Sequence, residues 1–207
     1  MKRFFIYLAL LFSFSAVAVA DDAVALLEKA RKNIEADRAV QFVFDYTVCD
    51  EEGVALFADN GSFKFDGDRY SLLLGTMKLW CDGVTQWSYI NQTDEIYIAT
   101  ADAEEARLYN PSYLMGLYRE GYVCSAMKEA GEVCVTMVAS DDAQEFEKAV
   151  LSLDEKTLRP LSMEVYMSGQ GCVKVKIDSY KPKCDFADRV YVCPMEDFPS
   201  AEIVDMR

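Results

Sequence analysis

Seven cysteines, 35 carboxylates and no histidine make up the reactive side chains of this 207-residue chain. Without histidine there can be no Ser-His-Asp or Cys-His catalysis, no imidazole ligand for a metal, and no ordinary proton shuttle near neutral pH. The cysteines nearest in sequence are Cys124 with Cys134 and Cys184 with Cys193, and neither pair has the C-x-x-C spacing of a redox or zinc motif. An odd number leaves at least one unpaired, and pairing the other six allows about 105 arrangements. Buried free thiols in apolar strands fit equally well. The carboxylate pairs Asp66/Asp68 and Asp141/Asp142 read as turn residues rather than an acid–base couple. Asp66-Gly67-Asp68 also lacks the further ligands of a calcium loop. Asn91-Gln92-Thr93 matches the glycosylation sequon, and no phosphate loop or dinucleotide fingerprint is present. The reading is a protein that is not an enzyme and holds no metal or cofactor.

What remains is an apolar surface. Gly61 to Thr100 reads as five short strands broken by Asp66-Gly67, Gly75, Asp82-Gly83 and Asn91-Gln92, with aromatics at alternate positions. Asp-Gly between alternating apolar runs is a strong hairpin signal, and a two-residue turn at Asp82-Gly83 sets Cys81 opposite Val84. Trp80, Trp87 and Tyr89 then project from one face of the sheet. If strand parity holds, Phe42, Phe44, Phe63, Phe65, Trp80, Trp87 and Tyr89 share the concave side. Such a face is either an ordinary closed core or the wall of a cavity suited to apolar ligands.

The elements that must position these residues follow from periodicity. Lys2-Arg3, the apolar run Phe4 to Phe14 and Ala18-Val19-Ala20 form a secretory signal over residues 1–20, too short for a comfortable membrane span. The remainder, 21–207, reads as a single domain. Asp21 or Asp22 caps a helix running to about Asp37, with Val24, Leu27, Ala30 and Ile34 on one stripe. Val40 to Cys49 alternates as a half-buried strand, Glu51-Glu52-Gly53 turns the chain into Val54–Phe57, and the aromatic block follows. Ala101 to Arg107 favours helix. Asn110-Pro111 starts a second one, whose apolar stripe is Leu114, Leu117 and Tyr118 and which Gly121 ends. Strands return at Tyr122–Met127, Val133–Val138, Phe146–Leu153, Leu161–Met167, Cys172–Tyr180 and Val190–Cys193. The fold class is mainly β with a helical lid. About ten or eleven antiparallel strands curl into all or part of a barrel, and the helical pieces cover its mouth.

Charge narrows the partners. Without Lys2 and Arg3 the 21 basic residues become 19 against 35 acidic ones, so the formal charge moves from −14 to −16. That surface repels nucleic acid and anionic headgroups. An exported, soluble monomer is expected.

At these residues the chain resembles the periplasmic outer-membrane lipoprotein carrier (LolA-like) family, especially its Bacteroidetes-like branch. The resemblance rests on Gly61-Ser62-Phe63-Lys64-Phe65, on Asp82-Gly83-Val84-Thr85-Gln86-Trp87-Ser88-Tyr89, and on Asn110-Pro111 with the helix after it in the place of the lid. The closing Val190-Tyr191-Val192-Cys193-Pro194 and Val204-Asp205-Met206-Arg207 complete it. It implies an incomplete barrel enclosing a hydrophobic cavity lined by Phe42, Phe44, Phe63, Phe65, Trp80, Trp87, Tyr89, Leu114, Leu117 and Tyr118. It implies a periplasmic carrier that takes acylated lipoproteins from an inner-membrane lipoprotein-releasing transporter to an outer-membrane acceptor. The alternative on the same fold is a lipid-sensing or regulatory envelope binding module. At about 0.8 kcal/mol per methylene, a ~16-carbon chain costs on the order of 12 kcal/mol to hold in water, which is what a carrier must offset. Some members latch the lid with an arginine that follows the glycine-led strand. The matching position here is Gly67, with Arg69 two residues later, which puts the same latch in question.

Overall fold

The structure, a computed structural model, describes residues 20–101, 115–116, 119, 121–142, 144 and 146–207. It opens with helix α1 (Ala20–Asp37), followed by β1 (Val40–Cys49), β2 (Ala55–Asp66), β3 (Arg69–Leu74), β4 (Met77–Cys81), β5 (Thr85–Ile90) and β6 (Glu95–Thr100). The second run is β7 (Tyr122–Glu129), β8 (Glu132–Ala139), β9 (Lys148–Asp154), β10 (Pro160–Met167), β11 (Gly171–Lys181) and β12 (Glu202–Asp205). All twelve strands form one sheet in the order β12-β6-β5-β4-β3-β2-β1-β11-β10-β9-β8-β7. The two ends never meet, so the fold is an open, incomplete antiparallel barrel, with α1 as the described part of its helical cover.

The order has a simple logic. Each half of the sheet is a meander of hairpins: β1 to β6 on one side and β7 to β11 on the other. The halves join at a seam where β1 pairs with β11, Phe42 opposite Tyr180 and Tyr46 opposite Val175. A register shift between Val43 and Phe44 interrupts that ladder, and such bulges bend a sheet and sharpen its twist. On α1 the spacing of Ala23, Leu27, Ala30 and Ile34 builds one stripe, and all four are buried against the concave face, with Val24 half-buried beside them.

Several expectations are corrected. Cys81 pairs with Gln86, not Val84. The Asp82 carboxylate accepts from the backbone N–H of Val84 at 2.9 Å and of Thr85 at 2.8 Å, which widens the turn and throws Val84 into solvent. Val54–Phe57 and the strand that begins at Gly61 are one element, β2. Val190–Cys193 is not a strand: 3-10 turns cover Asp188–Tyr191 and Met195–Asp197, and Pro194 between them lacks the N–H a ladder needs. The final strand comes later, at β12, parallel to β6. The helices expected over 101–107 and after Asn110 lie outside the described residues, apart from Ala101, Met115, Gly116 and Arg119. No helix among the described residues is long and apolar enough to cross a membrane.

Candidate functional site

A hydrophobic cavity of about 290 Å³ lies under the concave face, across the seam. From the first half come Phe42, Phe44 and Tyr46 of β1, Phe63 of β2, and Leu72 and Leu74 of β3. The second half gives Met137 of β8, Ala149 and Leu151 of β9, Pro160 and Met163 of β10, and Val173, Val175 and Ile177 of β11, while Met115 closes in from the segment before β7. The register sets the facing pairs: Phe44 opposite Ile177, and Tyr46 opposite Val175. Gly61 makes room, because a Cβ there would fall 2.6 Å from Phe44 Cζ and 2.8 Å from Leu74 Cδ2.

The chemistry of the wall is nearly uniform. No charged residue lines it among the described residues, and the Tyr46 hydroxyl is its one side-chain polar group. Burial pushes the Tyr46 phenol above its ordinary value, with the Asp59 charge adding to the effect and a hydrogen bond with Thr76 opposing it. It therefore stays neutral. The volume is about twice that of the ~150 Å³ apolar cavity that stays dry and binds benzene, and it stands at the lower end of the ~300–1,000 Å³ range of small-molecule pockets. Such a wall can take hydrocarbon and offers almost nothing to fix its orientation.

The residues singled out in the sequence divide into three groups. Phe42, Phe44 and Phe63 border the cavity. Phe65 belongs to the same core but sits behind the wall, its ring centroid 5.9 Å from that of Phe42 and 5.4 Å from that of Phe63. Trp80, Trp87 and Tyr89 are on the opposite, convex face. Phe63 pairs with Leu72 and Leu72 with Leu79, so Leu79 is the concave-facing residue of β4 and its neighbour Trp80 must point away. Trp80 stands directly across from Trp87, and the C-terminal tail covers both: the Phe198 ring lies 6.0 Å from Trp80 and 4.2 Å from Tyr89. Leu114, Leu117 and Tyr118 lie outside the described residues.

Arg69 serves that same tail. Its guanidinium pairs with Asp66 at 2.9 Å and Asp188 at 2.7 Å and lies 4.7 Å from the Tyr191 ring centroid, so it pins the convex cover. Tyr46 and the whole second-half wall were missed as site residues. Alternation in Val133–Met137, Ala149–Leu153 and Val173–Ile177 carried the signal, but those strands lack the aromatics that drew attention to the first half. The seven cysteines are all free thiols, and no group of three or more potential metal ligands occurs among the described residues.

Comparison with known proteins bears on the fold. An uncharacterized conserved protein from Thermus thermophilus superposes with a TM-score of 0.55 at 12% identity, covering 89% of this chain and 99% of the other. That likeness extends to the fold alone. A LolA superfamily protein from Nitrosomonas europaea gives 0.42 at 10% identity, covering 83% and 97%. The MucA/MucB complex of Pseudomonas aeruginosa gives 0.45 at 15% identity, covering 84% and 62%. No curated protein matches the sequence at a significant level. The sequence profile described as outer membrane lipoprotein carrier protein LolA matches residues 20–170, from α1 through β10, and the chain therefore belongs to that family.

Proposed function

We propose that the chain is a periplasmic carrier that shelters the acyl chains of lipoproteins in the seam cavity while they pass from inner to outer membrane. The observation that carries this reading is the wall itself: apolar residues from both halves of the sheet, with no charge among the described residues, around about 290 Å³ of open space. At roughly 30 Å³ for a water-sized group, that space takes about ten methylene-sized groups. At about 0.8 kcal/mol each, shielding them offsets on the order of 8 kcal/mol of the cost of exposing acyl chains. A lining poor in polar contacts suits a carrier, because cargo held by burial alone can be handed on wherever another apolar site competes for it. The donor in this scheme is an inner-membrane lipoprotein-releasing transporter and the recipient an outer-membrane acceptor, with residues 21–207 acting as a monomer after removal of residues 1–20.

The test is purification of the mature chain from a periplasmic extract, mass spectrometry of acylated species that come with it, and displacement of a fluorescent fatty-acyl probe from the emptied protein. Acylated lipoprotein in the purified material and competition for the probe are the expected results. Failure of both removes the reading.

A further inference from the structure

At one end of the seam two thiols face each other on the convex side. Cys49 ends β1, Cys172 lies at the start of β11, and they are direct partners in the antiparallel register. Opposed residues of such a ladder have Cα atoms about 4.5 or 5.5 Å apart according to the rung, and disulfides span Cα separations of about 4.4–6.8 Å, so either rung is suitable. Both residues are 2% exposed. The Cys172 thiol is pushed up by burial first and by a hydrogen bond with the Cys49 side chain second. Backbone packing fixes the spot independently. A Cβ on Gly171 would fall 2.1 Å from the Cys49 carbonyl oxygen and 2.6 Å from the Asp50 carbonyl carbon, so the turn into β11 is pressed against the end of β1.

The remaining five cysteines have no such partner. Cys124 stands opposite Met137, Cys134 lies between Met127 and Ser152, and Cys81 lies between Tyr70 and Gln86. Cys124 and Cys134 also point to opposite faces, Cys124 with the buried concave core and Cys134 with the outer side. Cys193 packs in the convex cluster around Trp80, and the Cys184 thiol donates to the Lys181 carbonyl.

We infer that Cys49 and Cys172 are a cystine site, a covalent clasp across the seam that joins the two halves of the sheet. Its occurrence in the cell rests on the proposed export, since the periplasm is oxidising and the cytosol is not. The bond forms by exchange with a small-molecule or protein disulfide. One thiolate attacks that disulfide and releases its first thiolate, and the second cysteine, deprotonated, displaces the other. The pair gives up two protons and two electrons, and the exchanging disulfide is reduced to two thiols. Because burial raises the Cys172 thiol and hides both sulfurs from solvent once the sheet has closed, exchange is fastest while the chain is still folding. Closed, the clasp holds one end of β1 and β11, whose other faces supply Tyr46, Val173 and Val175 to the cavity wall.

The experiment uses the purified mature chain, refolded in a mixture of glutathione and its disulfide, then denatured in an alkylating agent, digested and mapped by mass spectrometry. The expected result is one cross-linked peptide pair joining Cys49 to Cys172, two hydrogens lighter than the two thiol peptides together, with the other five cysteines alkylated. A reductant then lowers the Tm of the wild type and leaves the Cys49→Ala/Cys172→Ala variant unmoved. Alkylation of both residues, or a link from either to any other cysteine, overturns the inference. No lipid enters the assay, so its failure leaves the carrier reading intact, and a failed probe assay leaves the clasp intact.

Discussion

Ala149→Leu separates an open cavity from a filled one, because the two cases predict opposite signs. Ala149 is buried on β9 and borders the cavity, so the larger side chain projects into the open space. It adds three carbons. If the space is empty, burying them stabilises the fold by about 2 kcal/mol, which for a domain of this size raises Tm by about 4–8 °C. The same three carbons occupy room for about three of some ten methylene groups and weaken acyl binding by a similar free energy, close to 30-fold in Kd. Thermal melting and fluorescent fatty-acyl probe titration read the two quantities on one preparation. Leu153→Ala is the control. Leu153 is fully buried on the same strand and does not border the cavity, so that variant loses about 2–5 kcal/mol of stability with little change in probe affinity. If Ala149→Leu lowers Tm, as overpacking of a full core does by about 1–3 kcal/mol, and leaves the probe Kd alone, the reasoning fails.

Trp87→Ala should cost about 3–5 kcal/mol in denaturant unfolding, because it empties the convex cluster, yet probe Kd measured on folded protein should stay within about twofold. A large loss of affinity would show that the convex face takes part in binding. Gly61→Val should push the Phe44 and Leu74 side chains into the cavity, lowering stability by about 1–3 kcal/mol and weakening probe binding; unchanged values for both would remove Gly61 from the account. Burial, with the charges of Glu196 and Asp197 adding to it, raises the Cys193 thiol to about 11 from an ordinary value near 9. Since the native form holds its proton more tightly than the unfolded chain, this contribution to stability is whole below pH 9 and fades as pH rises towards 11. Urea titrations across that window should show a fall that Cys193→Ala flattens, and identical slopes in both proteins would contradict the assignment.

Most of the strand order was legible because its punctuation is local. Asp66-Gly67, Gly75 and Asn91-Gln92 each end a strand where the structure ends one, and alternation over Val40–Cys49 identified β1 and its buried face. The face of Trp80 was not legible. It depends on the pairing of Leu72 with Leu79 across the Gly75 turn, and a single step of parity moves every side chain on the strand to the other side. The tail misled for a related reason. Val190–Cys193 has the composition of a strand, but it begins inside a 3-10 helix and its Cys193 packs in the convex cluster with Trp80 and Trp87, which were expected to face inward. The second-half wall was overlooked because Val, Ala, Leu and Met line it, and these residues look the same in a sequence whether they fill a core or border a void.

The central joint of the sheet brings together residues that are far apart in the chain, Phe42 beside Tyr180. Neither half has its middle neighbour until the last hairpin has emerged, and closing so long a loop is slow compared with zipping up a local meander. The export proposed above requires a chain that stays unfolded while it passes, and late closure of this seam meets that requirement for nearly the whole length. The second wall of the hollow comes from β8 to β11, so a chain cut short before β9 would carry the first meander, a single hairpin of the second, and half a wall.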